Sequence, residues 1–178
     1  MNRHSLVLVA VALVSMLGGV LLYDFLQPEN PDDSDSPAQA PVELHSIPLT
    51  DLDKRQTVLR DWQRQLLVVN FWAPWCAPCR REIPALIQVQ EEYRSRGVAI
   101  LGIAFDNEPQ VRRFADEYNI NYPLFLSSNR AAMYNAALGN PSGSLPFTAL
   151  LDRELRIIYR HNGELTLDEL RAQLEQHL

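Results

Sequence analysis

The chain has 178 residues, enough for one domain of ordinary size with extensions, and its 47% hydrophobic content can supply a real core. The net charge of −6, with basic residues scattered and Lys54 the only lysine, argues against a nucleic-acid partner. Only two cysteines are present, so a framework of structural disulfides is excluded, and His4, His45, His161 and His177 show no metal-ligand spacing to them.

Met1 to His4 is a short basic start. Leu6 to Tyr23 is a run of 18 residues broken only by Ser15, Gly18 and Gly19. As a helix it rises about 27 Å, close to the hydrocarbon thickness of a bilayer. A cleaved signal peptide calls for a shorter apolar region and small residues at the cleavage site, and Leu17 fits that poorly. We therefore read residues 1–23 as an uncleaved transmembrane anchor. Arg3 precedes the span and the next Lys or Arg is Lys54, which predicts a cytoplasmic N-terminus with the rest outside. Residues 24–41 form an acidic, Pro-rich linker, with Pro28, Pro31, Pro37 and Pro41 among Glu29, Asp32, Asp33 and Asp35.

Residues 42–178 read as one α/β domain. A β-hairpin is expected first, with Ile47 and Leu49 on one arm, Thr57 to Leu59 on the other, and a turn near Asp51 to Arg55. Leu66 to Trp72 is apolar apart from Asn70 and suits a strand covered on both faces. A helix follows from about Ala77 to Arg96, with Ile83, Leu86, Ile87 and Val89 inward and Gly97 ending it. Val98 to Phe105 is a second buried strand. Asn107 and Pro109 open a helix that runs to about Asn119. Leu124 to Leu126 is a short strand and Arg130 to Leu138 a short helix. Phe147 to Leu151 and Leu155 to Tyr159 read as antiparallel strands around an Asp152-Arg153-Glu154 turn. Thr166 and Glu169 form a capping box for a last helix that buries Leu167, Leu170 and Leu174. Together these elements predict a mixed α/β sandwich with helices on both faces.

The chemistry concentrates at Cys76 and Cys79. They follow the first long strand at the mouth of a helix, where unpaired N–H groups and the helix dipole favour an anion. Such a site stabilises thiolate, the species that attacks disulfides. Cys76 is therefore the expected nucleophile. Cys79, one turn further in, is the resolving thiol, and helical i, i+3 spacing allows the two to form a disulfide. Glu82 lies three residues past Cys79 on the same face and can tune the thiols or carry a proton. A surface Glu paired with Arg is the bland alternative. Asn70 has no ionisable group, which leaves proton transfer to Glu82 or to water. Trp72 is as well explained by the core as by function, and Pro84 by a helix kink.

The pattern Phe71-Trp72-Ala73-x-Trp75-Cys76-x-Pro78-Cys79-Arg80-x-Glu82-x-Pro84 resembles the thioredoxin superfamily. More narrowly it resembles the TlpA/ResA-type membrane-anchored thiol–disulfide oxidoreductases, and the likeness runs from about Val42 to the C-terminus. The resemblance implies a thioredoxin-like three-layer α/β/α sandwich with an N-terminal β-hairpin and a central insertion around Leu124 to Leu138. It implies that Pro146 is cis and faces the disulfide, with the Leu145 backbone pairing with bound substrate and Thr148 completing a Pro-x-Thr pattern. Trp75 would shield the disulfide and contact partners, and Glu82 matches a Glu that members of the group carry. No cofactor beyond the redox-active Cys76–Cys79 pair and no metal is implied.

The function that follows is a periplasmic thiol–disulfide oxidoreductase on the bacterial inner membrane, acting as a reductase of client-protein disulfides. Apocytochrome c is one client class the resemblance suggests, with a membrane electron donor of the DsbD/CcdA kind upstream. Two alternatives stay open. One is an oxidant or isomerase of the same fold, since the dipeptide Ala77-Pro78 does not convert to a potential. The other is a thiol-based copper chaperone, because soft thiolates suit Cu(I).

Overall fold

The structure is a computed structural model, and it describes residues 44–46, 48–127 and 131–178. The strands are β1 (Pro48–Asp51), β2 (Gln56–Val58), β3 (Leu66–Trp72), β4 (Val98–Ala104), β5 (Leu124–Leu126), β6 (Phe147–Leu151) and β7 (Ile157–Asn162). The helices are α1 (Ala77–Tyr93), α2 (Glu108–Tyr118), α3 (Ala131–Leu138) and α4 (Leu167–Glu175). The anchor expected over residues 1–23 and the linker over 24–41 lie outside the described residues, as do Ile47 and Arg130. Among the described helices none is long and apolar enough to cross a membrane.

β3 and β4 are buried at every position, as strands covered on both faces must be. They pair in parallel at the centre of one mixed sheet of order β2-β1-β5-β4-β3-β6-β7. Alternation along β3 divides the core. Leu66, Val68 and Trp72 pack on the face that carries Ile83 and Leu86 of α1, Val111 and Phe114 of α2, and Leu170 and Leu174 of α4. Leu67, Val69 and Phe71 pack on the other face with Leu49, Leu59, Tyr134 and Leu138. Each such side chain contributes about 1.5–3 kcal/mol of burial, so both layers are needed to hold the sheet.

Several boundaries differ from expectation. Leu59 leaves the first hairpin and opens a 3-10 turn, Leu59–Trp62, where it is fully buried. Asp61 Oδ2 stabilises that turn by accepting from Thr57 Oγ1 and the Val58 N–H. The second arm of the closing hairpin starts at Ile157 rather than Leu155, and runs on to Asn162. Leu155 has φ 63 and is buried, so it belongs to the turn and plugs the core from there. The first long helix changes to a 3-10 turn over Arg94–Arg96 before Gly97, whose φ of 84 ends it as expected. Trp72 is core, fully buried against Phe114 at 5.1 Å between ring centroids.

Candidate active site

β3 ends at Trp72, and a tight turn through Ala73 to Trp75 delivers Cys76 to the start of α1. Cys76 is the N-cap of that helix: its Sγ accepts from the Cys79 N–H at 3.3 Å. A sulfur in this position meets the unpaired donors of the first turn, which favours its thiolate once the bond is reduced. Cys76 and Cys79 are joined as a disulfide with Cα atoms 5.3 Å apart. Cys76 keeps 6% exposure and Cys79 none, so an attacker reaches Cys76 first. Pro84 lies inside α1, where it removes the N–H that would reach the Arg80 carbonyl.

The loop before β6 brings the second part of the site. β6 runs antiparallel to β3 with Phe71 opposite Phe147 and Asn70 opposite Thr148, so Pro146 arrives beside the end of β3 that feeds the disulfide. The Leu145–Pro146 peptide bond is cis, with Leu145 half-buried and Pro146 buried. Trp75 is 68% exposed beside the disulfide, and its Nε1–H donates to the Phe105 carbonyl at 3.3 Å. Thr148, expected among substrate-binding residues, is fully buried. Its hydroxyl accepts from Asn70 Nδ2 at 3.0 Å, so its side chain serves the interior, and its backbone lies between β3 and β7 in the sheet.

Glu82 is not a surface residue. It is 2% exposed, on the buried side of α1 one turn beyond Cys79. Its Oε1 accepts from Asn70 Nδ2 at 2.7 Å and its Oε2 from the Leu165 N–H at 3.1 Å. Burial pushes its pKa up from 4.5 to about 7. The two hydrogen bonds pull the other way, and the charge of Glu164 adds to the rise. A carboxyl that exchanges its proton near neutrality, one turn from Cys79, can act as acid or base there. Asn70 was legible as the one polar residue in an apolar strand. Its two-sided grip on Glu82 and Thr148 was not, and neither was Leu165, whose backbone carries no signal in the sequence.

The sheet, the helix-mouth disulfide and the adjoining proline loop together define a thioredoxin-like thiol–disulfide oxidoreductase. The chain belongs to the redoxin family, whose model matches residues 18–176. It is 33% identical over 132 residues to the thioredoxin-like protein YneN of Bacillus subtilis, covering 71% of this chain and 74% of that protein. It is 26% identical over 135 residues to the thiol-disulfide oxidoreductase ResA of Bacillus cereus, covering 75% and 76% respectively. Among solved structures, a thiol:disulfide interchange protein of the thioredoxin family from Chlorobium tepidum superposes with a TM-score of 0.65 at 24% identity, over 74% of this chain and 92% of that one.

Proposed function

We propose that this protein reduces disulfides in client proteins outside the cytoplasm, held at the bacterial inner membrane through residues 1–23. The reduced Cys76 thiolate attacks one sulfur of a client disulfide, and the other client sulfur leaves as thiolate. Cys79 gives its proton to the Glu82 carboxylate and attacks the sulfur of Cys76. The client's second thiolate departs, the Cys76–Cys79 bond closes, and two electrons have passed to the client. The observation that carries this reading is the buried Glu82 carboxyl, fixed by Asn70 and Leu165 one turn from Cys79. Its pKa near 7 suits proton exchange with a thiol at neutral pH.

Exposed Trp75 and the Leu145–Pro146 edge flank Cys76 and suit contact with an extended client segment. Apocytochrome c is a client class of the right kind, and an electron donor of the DsbD/CcdA kind would restore the dithiol. A Cys79→Ala variant cannot resolve its mixed disulfides, so clients should accumulate on Cys76 in cells and be released by reductant. A variant that traps nothing while remaining folded would sink the reductase reading. Insulin reduction measured beside Cu(I) titration of the reduced protein separates it from a copper chaperone.

A further inference from the structure

Asn140 is only 1% exposed, although it stands in the loop that leads from α3 to Leu145 and Pro146. Local structure places it there. Gly139 ends α3 in the left-handed region, with φ 98. Its N–H donates to the Ala136 carbonyl at 3.0 Å, and the Asn140 N–H donates to the Asn135 carbonyl at 2.7 Å, the two bonds of a Schellman cap. Arg160 of β7 secures the same helix end, donating from Nε to the Leu138 carbonyl at 2.7 Å, and a Cβ at Gly139 would collide with its guanidinium. Asn140 Nδ2 donates to the buried Asn135 Oδ1 at 3.0 Å, which orients the amide.

The rest of that amide serves the loop. Nδ2 also donates to the Ser144 carbonyl at 2.9 Å, and Oδ1 accepts from the Ser144 N–H at 3.2 Å. The Ser142 hydroxyl donates to the same oxygen at 3.1 Å. The Ser144 hydroxyl lies 3.0 Å from Asn140 Oδ1 and 2.8 Å from Asn162 Oδ1, which ties the loop to the end of β7. One buried side chain thus holds both main-chain groups of Ser144. An amide can do this because it carries donors and an acceptor together; a carboxylate has no donor for the Ser144 carbonyl.

The consequence falls on Leu145. The Ser144–Leu145 peptide is trans, so its C=O and N–H point in opposite directions. With the carbonyl held by Asn140, the Leu145 N–H is directed away from the interior clamp. Neither that N–H nor the Leu145 carbonyl bonds to any of the described residues. Free main-chain groups of this kind are what an extended segment pairs with when it adds to an edge.

We propose that Asn140 is a positioning residue for client binding, setting the Ser144–Leu145 peptide in its pairing orientation before a client arrives. This rests on the proposed contact between clients and the Leu145–Pro146 edge. A loop already held in its bound form has less freedom to lose on binding, so losing the clamp weakens client affinity. Neither cysteine is among the Asn140 partners, so the chemical step is spared.

Insulin reduction by the full chain, followed over a range of insulin concentrations, tests it. Asn140→Ala should raise KM by about fivefold or more, with kcat held within about twofold. The Leu145 amide resonance should shift in the same variant. Asn135→Ala keeps the bonds to Ser144 and removes only the acceptor that orients the amide. It should raise KM in the same direction by less, and it decides the matter if Asn140→Ala does not fold. An unmoved KM in the folded variant overturns the proposal. So does a fall in kcat with KM unmoved, which would make Asn140 a support of the disulfide rather than of the client edge. If the wild-type chain reduces no insulin, the reductase reading fails and this proposal with it; if it does and KM does not respond, this proposal alone fails.

Discussion

Glu82 holds its proton up to about pH 7 in the folded chain, against an ordinary 4.5. The folded state therefore binds more protons than the unfolded one between those values. The stability tied to this carboxyl is full below about 4.5 and is lost as pH rises through about 7. Relative to Glu82→Gln, the oxidised wild type should lose at most about 3 kcal/mol across that window. Urea unfolding at a series of pH values measures this, and parallel curves for the two proteins would refute it. If Glu82 also takes the Cys79 proton, Glu82→Gln should slow thiol–disulfide exchange by up to about a hundredfold and flatten its pH profile. The cysteines carry a separate prediction. Cys76 caps α1 and is the more exposed, so alkylation of the reduced protein near neutral pH should label it first. Preferential labelling of Cys79 would reverse the two roles.

At the scale of elements, α4 matters to the site through its first residues. Leu165, whose N–H holds Glu82, immediately precedes the N-cap Thr166. Thr166 Oγ1 accepts from the Glu169 N–H at 3.3 Å, and Glu169 Oε2 accepts from the Thr166 N–H at 2.9 Å. Ion pairs tie α4 and the residue stretch before it to α1 and the 3-10 turn that follows α1: Arg81 with Glu164, Glu92 with Arg171, and Arg96 with Glu175. These pairs are partly exposed, so the cap should outweigh any one of them. Thr166→Ala should cost about 1 kcal/mol by urea unfolding. It should also move the Glu82 titration, because the start of α4 fixes the Leu165 N–H. A stability loss with the titration unmoved would separate the helix cap from the site.

For the whole molecule, the two core layers formed by the described residues run from Leu49 to Leu174, with partly buried neighbours reaching Leu178. A protein comprising residues 42–178 should therefore fold cooperatively and retain insulin reduction. It should lose membrane association in cell fractionation if residues 1–23 are the anchor. N-terminal sequencing of the full chain recovered from membranes should begin at or near Met1; a soluble species starting near Val20 would make the segment a signal peptide.

Much of this was legible in the sequence because it is local. The seven-residue runs of β3 and β4, apolar apart from Asn70 in β3, mark buried strands through composition alone. Asn107 with Pro109, Thr166 with Glu169, and Gly97 announce helix ends through side chains and backbone freedom acting within a few residues. The two cysteines at a strand-to-helix junction identify the reaction class, since both the i, i+3 spacing and the helix-mouth electrostatics are local properties. Short elements were less legible. Leu59 and Leu155 each look like strand residues, yet both are drawn from turns into the core layer of Leu67, Val69 and Phe71, a demand that only the packed sheet imposes.

Tertiary structure decided how the site works. Asn70 meets Thr148 across 78 residues of chain, and Glu82 meets the Leu165 N–H across 83. Neither pairing has a local pattern, because each depends on which strand lies beside β3 and where α4 begins. The sequence alone placed a carboxylate one helical turn from Cys79. Only the fold removed that carboxylate from water, and desolvation is what moves its proton affinity to neutrality.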